Sequence, residues 1–306
     1  MLTKFIIWVQ ILAAFLMAQM PDLPDTDLPP DTPPAMETEA PDDPEAPIET
    51  EAPPDTETPP DTEAPPDTEA PPAIPAQKGD ILGLMYHHLV EDPNQVTTWT
   101  TTPENLRQNL LDLLDMGYMP LSLEEYFSGN YDPSQDYFIV TFDDGYLSNR
   151  TLALPVLEEL EISAAIFVIT DLVGEAGYMT WEDLRAVRDS GVFTLYSHTH
   201  THKNAQKSET EDFLTDVRLS RDAFDANLGS VDHKILSYPN GACTKASMES
   251  LVAEGYEMFV IQEKPKWYNE ACHGRLLLRV NVPGMNPNMK RIANYSRKRS
   301  GIDTIK

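Results

Sequence analysis

Two adjacent carboxylates, Asp143 and Asp144, close the run Tyr137-Phe-Ile-Val-Thr-Phe-Asp-Asp-Gly-Tyr146, and further along stands Ser197-His-Thr-His-Thr-His202. An apolar stretch ending in two acids and a glycine reads as a buried strand that delivers charge at its C-terminal end. Ionised carboxylates are seldom buried alone, because stripping their hydration is expensive. Side by side, with a histidine cluster elsewhere, they point to a metal ion held by one carboxylate and two imidazoles. The second carboxylate is then left to act as a base. On an extended strand His198, His200 and His202 would share one face. In a turn, His198 and His202 could grip one ion while His200 points away, and both arrangements are open at this level. Two histidines and one carboxylate also build iron oxygenase sites, but those rarely need a second adjacent aspartate.

The elements that must position these groups alternate along the chain. Strand-like runs fall at 80–86, 137–142, 164–169, 192–196, 234–238, 257–261 and 276–281. Amphipathic stretches fall at 103–116, 150–160, 181–190, 211–228 and 245–254. Thr102 ahead of Pro103, and Thr180 followed three residues on by Asp183, supply helix-start chemistry. Such alternation predicts parallel strands joined by helical crossovers. The expected fold is α/β, a distorted (β/α) barrel of about seven parallel strands. Reactive groups in barrels gather at the C-terminal ends of the strands. The acid pair, the histidine cluster and the Pro239-Asn-Gly241 turn should therefore meet at one mouth.

The chain has 306 residues and a formal net charge of -28, much of it in one segment. Residues 19–78 are dominated by Pro, Glu, Asp and Thr in repeats of Glu-Ala-Pro-Pro-Asp-Thr. With little apolar surface to bury and like charges repelling, this segment is expected to be a disordered, extended spacer. Before it, residues 1–18 combine one lysine with a short apolar core, the pattern of a signal peptide. An uncleaved N-terminal membrane tether is the alternative, and either places the protein outside the cell or at its surface. Residues 79–284 are read as the folded domain. Residues 285–306 are read as a basic, solvated tail. Cys243 and Cys272 would either pair, as export permits, or remain two unpaired small residues. The acidic charge and the lack of any nucleic-acid motif exclude nucleic-acid binding, and a monomer is expected.

Thr141-Phe-Asp-Asp-Gly-Tyr146 and His198-Thr-x-Thr-His202 resemble the first two motifs of the polysaccharide deacetylases, the NodB-homology group or carbohydrate esterase family 4. Leu84-Met-Tyr-His-His-Leu89, Thr180-Trp-Glu-Asp-Leu184, Leu236-Ser-Tyr-Pro-Asn-Gly241 and Leu278-Arg-Val-Asn-Val282 are similar to the extracellular poly-N-acetylglucosamine deacetylase branch. The resemblance implies one divalent metal ion, usually zinc, with cobalt or nickel as substitutes, bound by Asp144, His198 and His202. His200 becomes a spacer, and Asp143 the general base that activates water. A backbone N–H near Asn240, in the turn begun by Pro239, would stabilise the oxyanion. Tyr146 is the foremost aromatic for stacking on a sugar, with Trp99, Trp267 and Tyr268 behind it.

The chain departs from the family pattern in two places. Val280-Asn-Val-Pro-Gly284 lacks the late histidine that protonates the leaving amine, and Ser237 stands where an arginine would orient the base. His87, closing the first strand toward the same mouth, is the candidate substitute acid, the alternative being an imidazole satisfied structurally near the rim. The reaction so implied removes N-acetyl groups from N-acetylglucosamine residues of an extracellular polysaccharide or of peptidoglycan. The competing reading is a carbohydrate-binding protein that kept the fold and lost turnover.

Overall fold

In the computed structural model, seven strands form the frame: β1 Ile81–Tyr86, β2 Tyr137–Asp144, β3 Ala164–Val168, β4 Phe193–Ser197, β5 Ile235–Ser237, β6 Met258–Ile261 and β7 Arg275–Asn281. Their order around the sheet is β1-β7-β6-β5-β4-β3-β2, every pairing is parallel, and β2 pairs back onto β1 to close a barrel. The expected barrel is the one observed. The structure describes residues 78–229, 233–285 and 287–305. The export segment at 1–18 and the spacer at 19–78, apart from Lys78, lie outside the described residues.

The strands are apolar on both faces because both are covered, as parallel sheets require. One set of alternate residues fills the barrel: Tyr137 and Ile139, Ala165 and Phe167, Ile235, Met258 and Val260, and Leu277. The other set packs outward. Leu82, Leu84, Phe138, Val140 and Ile166 meet α1 Pro103–Asp115, α3 Leu154–Leu160 and α4 Trp181–Asp189 through Leu106, Leu157 and Leu184. Leu236 and Phe259 meet α5 Thr210–Leu228 and α6 Lys245–Ala253 through Phe213 and Met248. Toward the strands' C-terminal ends the inward column turns polar, with Thr141, Asp143, Ser237 and Arg279 all buried.

Local chemistry sets the helix starts. Thr102 accepts the Asn105 N–H ahead of Pro103, and Thr180 and Asp183 form a reciprocal capping box. A short strand Met119–Pro120 and the single-turn helix α2 Leu123–Ser128 fall outside the sequence expectation. Both are too short to show a period, although the Ser122/Glu125 capping box is legible.

The C-terminal segment corrects the expected domain boundary at 284. Residues Met289–Arg299 form helix α7, not a solvated tail, with Met289, Ile292, Ala293 and Ser296 buried. That spacing is a helical stripe, which the surrounding arginines and lysines obscure in the sequence. The helix is fastened near the N-terminal ends of the strands. The Ser296 and Tyr118 hydroxyls both donate to buried Asp80, each at 2.9 Å, and Arg297 pairs with Asp136 at 2.6 Å. Burial raises the Asp80 pKa, and the two hydroxyl donors act against that rise. The two cysteines are both free. Cys243 is buried, which pushes its thiol up to about 11, and Cys272 is exposed.

Ile292→Ala should therefore lower unfolding stability by about 2 kcal/mol, as for other large-to-small core changes. Urea denaturation followed by circular dichroism measures it. An unstructured tail would give no change.

Candidate active site

Neighbouring residues on a strand point to opposite faces, so Asp143 and Asp144 need a break in the backbone to serve one site. Asp144 supplies it with φ of 74°, followed by Gly145 at 84°. At Gly145 a Cβ would lie 3.2 Å from Val168 Cγ1, so both the conformation and the close approach favour glycine. On β4 the chain ends at Ser197, and the His198 N–H donates to the Val168 carbonyl at 2.9 Å. Thr199 and His202 then adopt left-handed conformations, with φ of 68° and 59°. This folded-back loop brings the His198 and His202 rings to a centroid separation of 4.9 Å.

Asp144 Oδ1 lies 3.9 Å from His198 Nε2 and 4.0 Å from His202 Nε2. One ligand atom from each of the three residues falls within 4.8 Å of the others. The donor set fits a divalent cation. His198 Nδ1 donates to the Ser237 carbonyl at 2.9 Å, which turns Nε2 toward the cluster. Burial lowers the His198 pKa to about 3, against the pull of Asp143, so the ring is neutral, as a ligand must be. His200 turns away, its Nδ1 sharing a hydrogen bond with Thr170 Oγ1 at 2.9 Å. The turn arrangement, with His198 and His202 together, is the one adopted.

Asp143 is buried beside this cluster, with Oδ2 3.7 Å from His198 Nε2. Arg279 grips it with both arms, Nη1 to Oδ1 at 2.6 Å and Nη2 to Oδ2 at 2.7 Å. Burial alone would raise the Asp143 pKa. The Arg279 charge and hydrogen bonds hold it well below the usual carboxylate range. Ser237 is not a substitute for the missing arginine. It accepts a hydrogen bond from Arg279 Nη2 at 2.9 Å, and the arginine arrives from β7 instead of β5. Thr141 accepts a further bond at 2.9 Å, and the guanidinium carbon lies 5.2 Å from the Phe167 ring centroid. Gly83 sits across from Arg279, where a Cβ would come within 3.1 Å of Arg279 Cγ. The sequence signal for Arg279 was a single cation inside the apolar run 276–281.

The remaining expected residues lie around this centre. His87 follows β1 directly. Its ring meets Trp99 edge-on at 5.0 Å, and it is near enough to Asp143 to help depress that pKa. His88 turns to Ser148 Oγ at 2.8 Å. Tyr146 stacks on Tyr178 at 4.8 Å, and its hydroxyl reaches Asp144. Burial, then the Asp144 charge, raise its pKa. Pro239 is buried at the head of its turn. Asn240 is left-handed at φ 57° and accepts from Asn204 Nδ2 at 3.2 Å. The turn's own bonds run from Gly241 N–H to Tyr238 and from Ala242 N–H to Pro239, leaving the Asn240 N–H outside them. Beyond Asn240 opens a cavity of about 430 Å³ lined in part by Gln206, Gln262, Lys264 and Trp267. In place of the late histidine, Asn281 donates to the Thr98 carbonyl at 3.3 Å.

Residues 130–259 match the family model described as polysaccharide deacetylase. Bacillus subtilis (strain 168) YxkH, a protein ascribed to the polysaccharide deacetylases, is 26% identical over 193 residues, covering 62% of this chain and 67% of the relative. The poly-beta-1,6-N-acetyl-D-glucosamine N-deacetylase of Escherichia coli (strain K12) is 22% identical over 233 residues. That match covers 62% of this chain but 35% of the enzyme, so the chain spans about a third of that relative's length. The solved structure of IcaB from Ammonifex degensii shares the fold with a TM-score of 0.60 at 22% identity, covering 72% of this chain and 98% of that one. The match over residues 130–259, with the barrel and the two motifs in agreement, identifies a polysaccharide deacetylase (NodB-homology) domain within this chain.

Proposed function

We propose that this protein is a metal-dependent N-deacetylase acting on N-acetylglucosamine residues of an extracellular or cell-wall polysaccharide. The observation that carries the reading is an ionised carboxylate, Asp143, fixed by Arg279 within 3.7 Å of a two-histidine, one-aspartate cluster. Asp144, His198 and His202 would hold the ion. When bound, a divalent ion supplies Lewis acidity, which polarises an acetamide carbonyl and makes water a better nucleophile at neutral pH. Zinc suits this nitrogen and oxygen set, and cobalt or nickel could replace it.

The residues divide the remaining work. Asp143 accepts the proton of the attacking water, a task open to it at neutral pH because Arg279 keeps it deprotonated. The Asn240 N–H stands ready for the oxyanion. As the carbon–nitrogen bond breaks, His87 gives the leaving amine its proton, taking the place of the absent late histidine. Tyr146 holds the Asp144 carboxylate through its hydroxyl. The cavity beside Asn240 and Trp267 gives a neighbouring sugar room. Such an enzyme meets its polymer outside the cell, at the end of the acidic spacer or free of it, and works as a monomer.

Acetate release from β-1,6- and β-1,4-linked N-acetylglucosamine oligomers tests the reading. Release should stop on chelation, return with zinc or cobalt, and fall about 10³-fold in Asp143→Asn, within the range for losing a general base. Metal binding with no release from any oligomer or from peptidoglycan would instead make the protein a binding module.

The ion pair adds a pH prediction. Arg279→Lys keeps the charge but loses the fork that matches both carboxylate oxygens. The ionised form of Asp143 is then less favoured and its pKa rises. The base becomes protonated from the acid side first, so the acid limb of the kcat/KM profile should move to higher pH. An unmoved limb in the folded variant would contradict the role given to Arg279.

A further inference from the structure

The loop from His198 to His202 carries backbone strain that its own sequence does not relieve. Thr199, a β-branched residue, and His202 both sit at positive φ, 68° and 59°. Side chains crowd that region, β-branched ones most, and such residues persist only where the surroundings over-determine them. The strain has a geometric product. It folds the chain back so that His198 and His202 face each other while His200 leaves toward Thr170.

The restraint comes from α5. Asp216, 3% exposed, accepts the N–H groups of His200 and Thr201, each at 3.0 Å, through Oδ2, and the Thr201 hydroxyl at 2.7 Å through Oδ1. One helical turn later Ser220 Oγ bonds Ser197 Oγ at 2.8 Å, and Ser197 Oγ accepts the Thr199 N–H at 3.1 Å. Thr199 Oγ1 in turn accepts the Lys203 N–H at 3.1 Å. Among the described residues no ion pair to Asp216 is found, so its charge is met by loop donors alone. A carboxylate suits this task because it only accepts. An asparagine would keep the two N–H bonds only through its single oxygen, would have to donate to the Thr201 hydroxyl in place of accepting from it, and would lose the charge that strengthens all three bonds.

We propose that Asp216 is a positioning residue that clamps the 198–202 loop in its strained form and so presets the His198–His202 pair for a divalent cation. The inference rests on the metal-site reading given under Proposed function. It concerns a residue that bonds none of the three proposed ligand side chains and acts on the two N–H groups and the Thr201 hydroxyl between the two histidines. Groups that orient metal ligands in this indirect way typically change affinity 10–100-fold.

The test is a titration of the metal-stripped full chain with Co²⁺, read by the visible absorption of the bound ion and by competition with a chelating dye. Thermal unfolding of the metal-free proteins runs in parallel. Asp216→Asn should bind Co²⁺ about 10–100-fold more weakly, with an altered visible spectrum. Thr201→Val, which removes one of the three donors and leaves the charge, should weaken binding less while remaining folded. Asp212→Asn removes a charge from the exposed first turn of the same helix and should bind as the unaltered chain does. Equal affinity in folded Asp216→Asn or Thr201→Val and in the unaltered chain would overturn the proposal and leave the metal site standing. No Co²⁺ binding by the folded unaltered chain would overturn both together. Should Asp216→Asn fail to fold, the Thr201→Val titration decides the matter alone.

Discussion

The fork between Arg279 and Asp143 is the constraint around which the rest of the barrel is arranged. Two opposite charges buried together lose hydration that their attraction recovers only with close geometry and further hydrogen bonds. The barrel supplies both. Its inward column is apolar from Tyr137 through Phe167 and turns polar only where Thr141 and Ser237 can accept from the guanidinium. Gly83 vacates the space through which the arginine stem passes. Phe167 forms an aromatic floor beneath it. A lysine at 279 would lose the fork, and a Cβ at 83 would crowd the arginine stem, so either would leave the pair without its full set of partners.

The ion pair also fixes the electrostatics of the cluster beside it. Burial favours the neutral forms of both Asp143 and His198, yet the two respond in opposite directions. Asp143 stays charged because a cation is bonded to it, whereas His198 is held neutral by its burial, against the pull of Asp143 and of the Ser237 carbonyl. A charged carboxylate beside neutral imidazoles is the combination that proton abstraction next to a cation needs. The same burial that isolates the site thus sorts its groups into a charged carboxylate and a neutral imidazole, the division on which the proposed reaction rests.

Much of this was legible in the sequence because it is written locally. The strand and helix alternation gave the barrel, and the Asp143-Asp144-Gly145 run and the spaced histidines gave four of the central groups. What escaped was encoded over distance. Arg279 lies far from Asp143 in the chain, and only the β1–β2 and β1–β7 pairings bring their strands together. The motif with Ser237 was read as a missing arginine, when the cation had moved to another strand of the same mouth. Helix α7 was hidden for another reason. Its four buried positions are diluted by basic residues, so charge dominates the composition while spacing decides the burial.

Left-handed residues recur where the site needs direction. Asp144, Thr199, His202 and Asn240 all have positive φ, and each stands at a strand end or in a loop at the barrel mouth. Nothing in their side chains favours that conformation as glycine would, except modestly in Asp, Asn and His. Each therefore depends on contacts made elsewhere in the fold: Asp144 on the β2–β3 pairing, Thr199 and His202 on the α5 bonds to His200 and Thr201 between them, Asn240 on Asn204. The cluster's geometry is then a property of the whole barrel, since three of its loops reach their working shapes only when strands and helices distant in sequence are already in place. A short peptide carrying the same five residues, 198–202, would have the ligands without the turn that faces them toward one another.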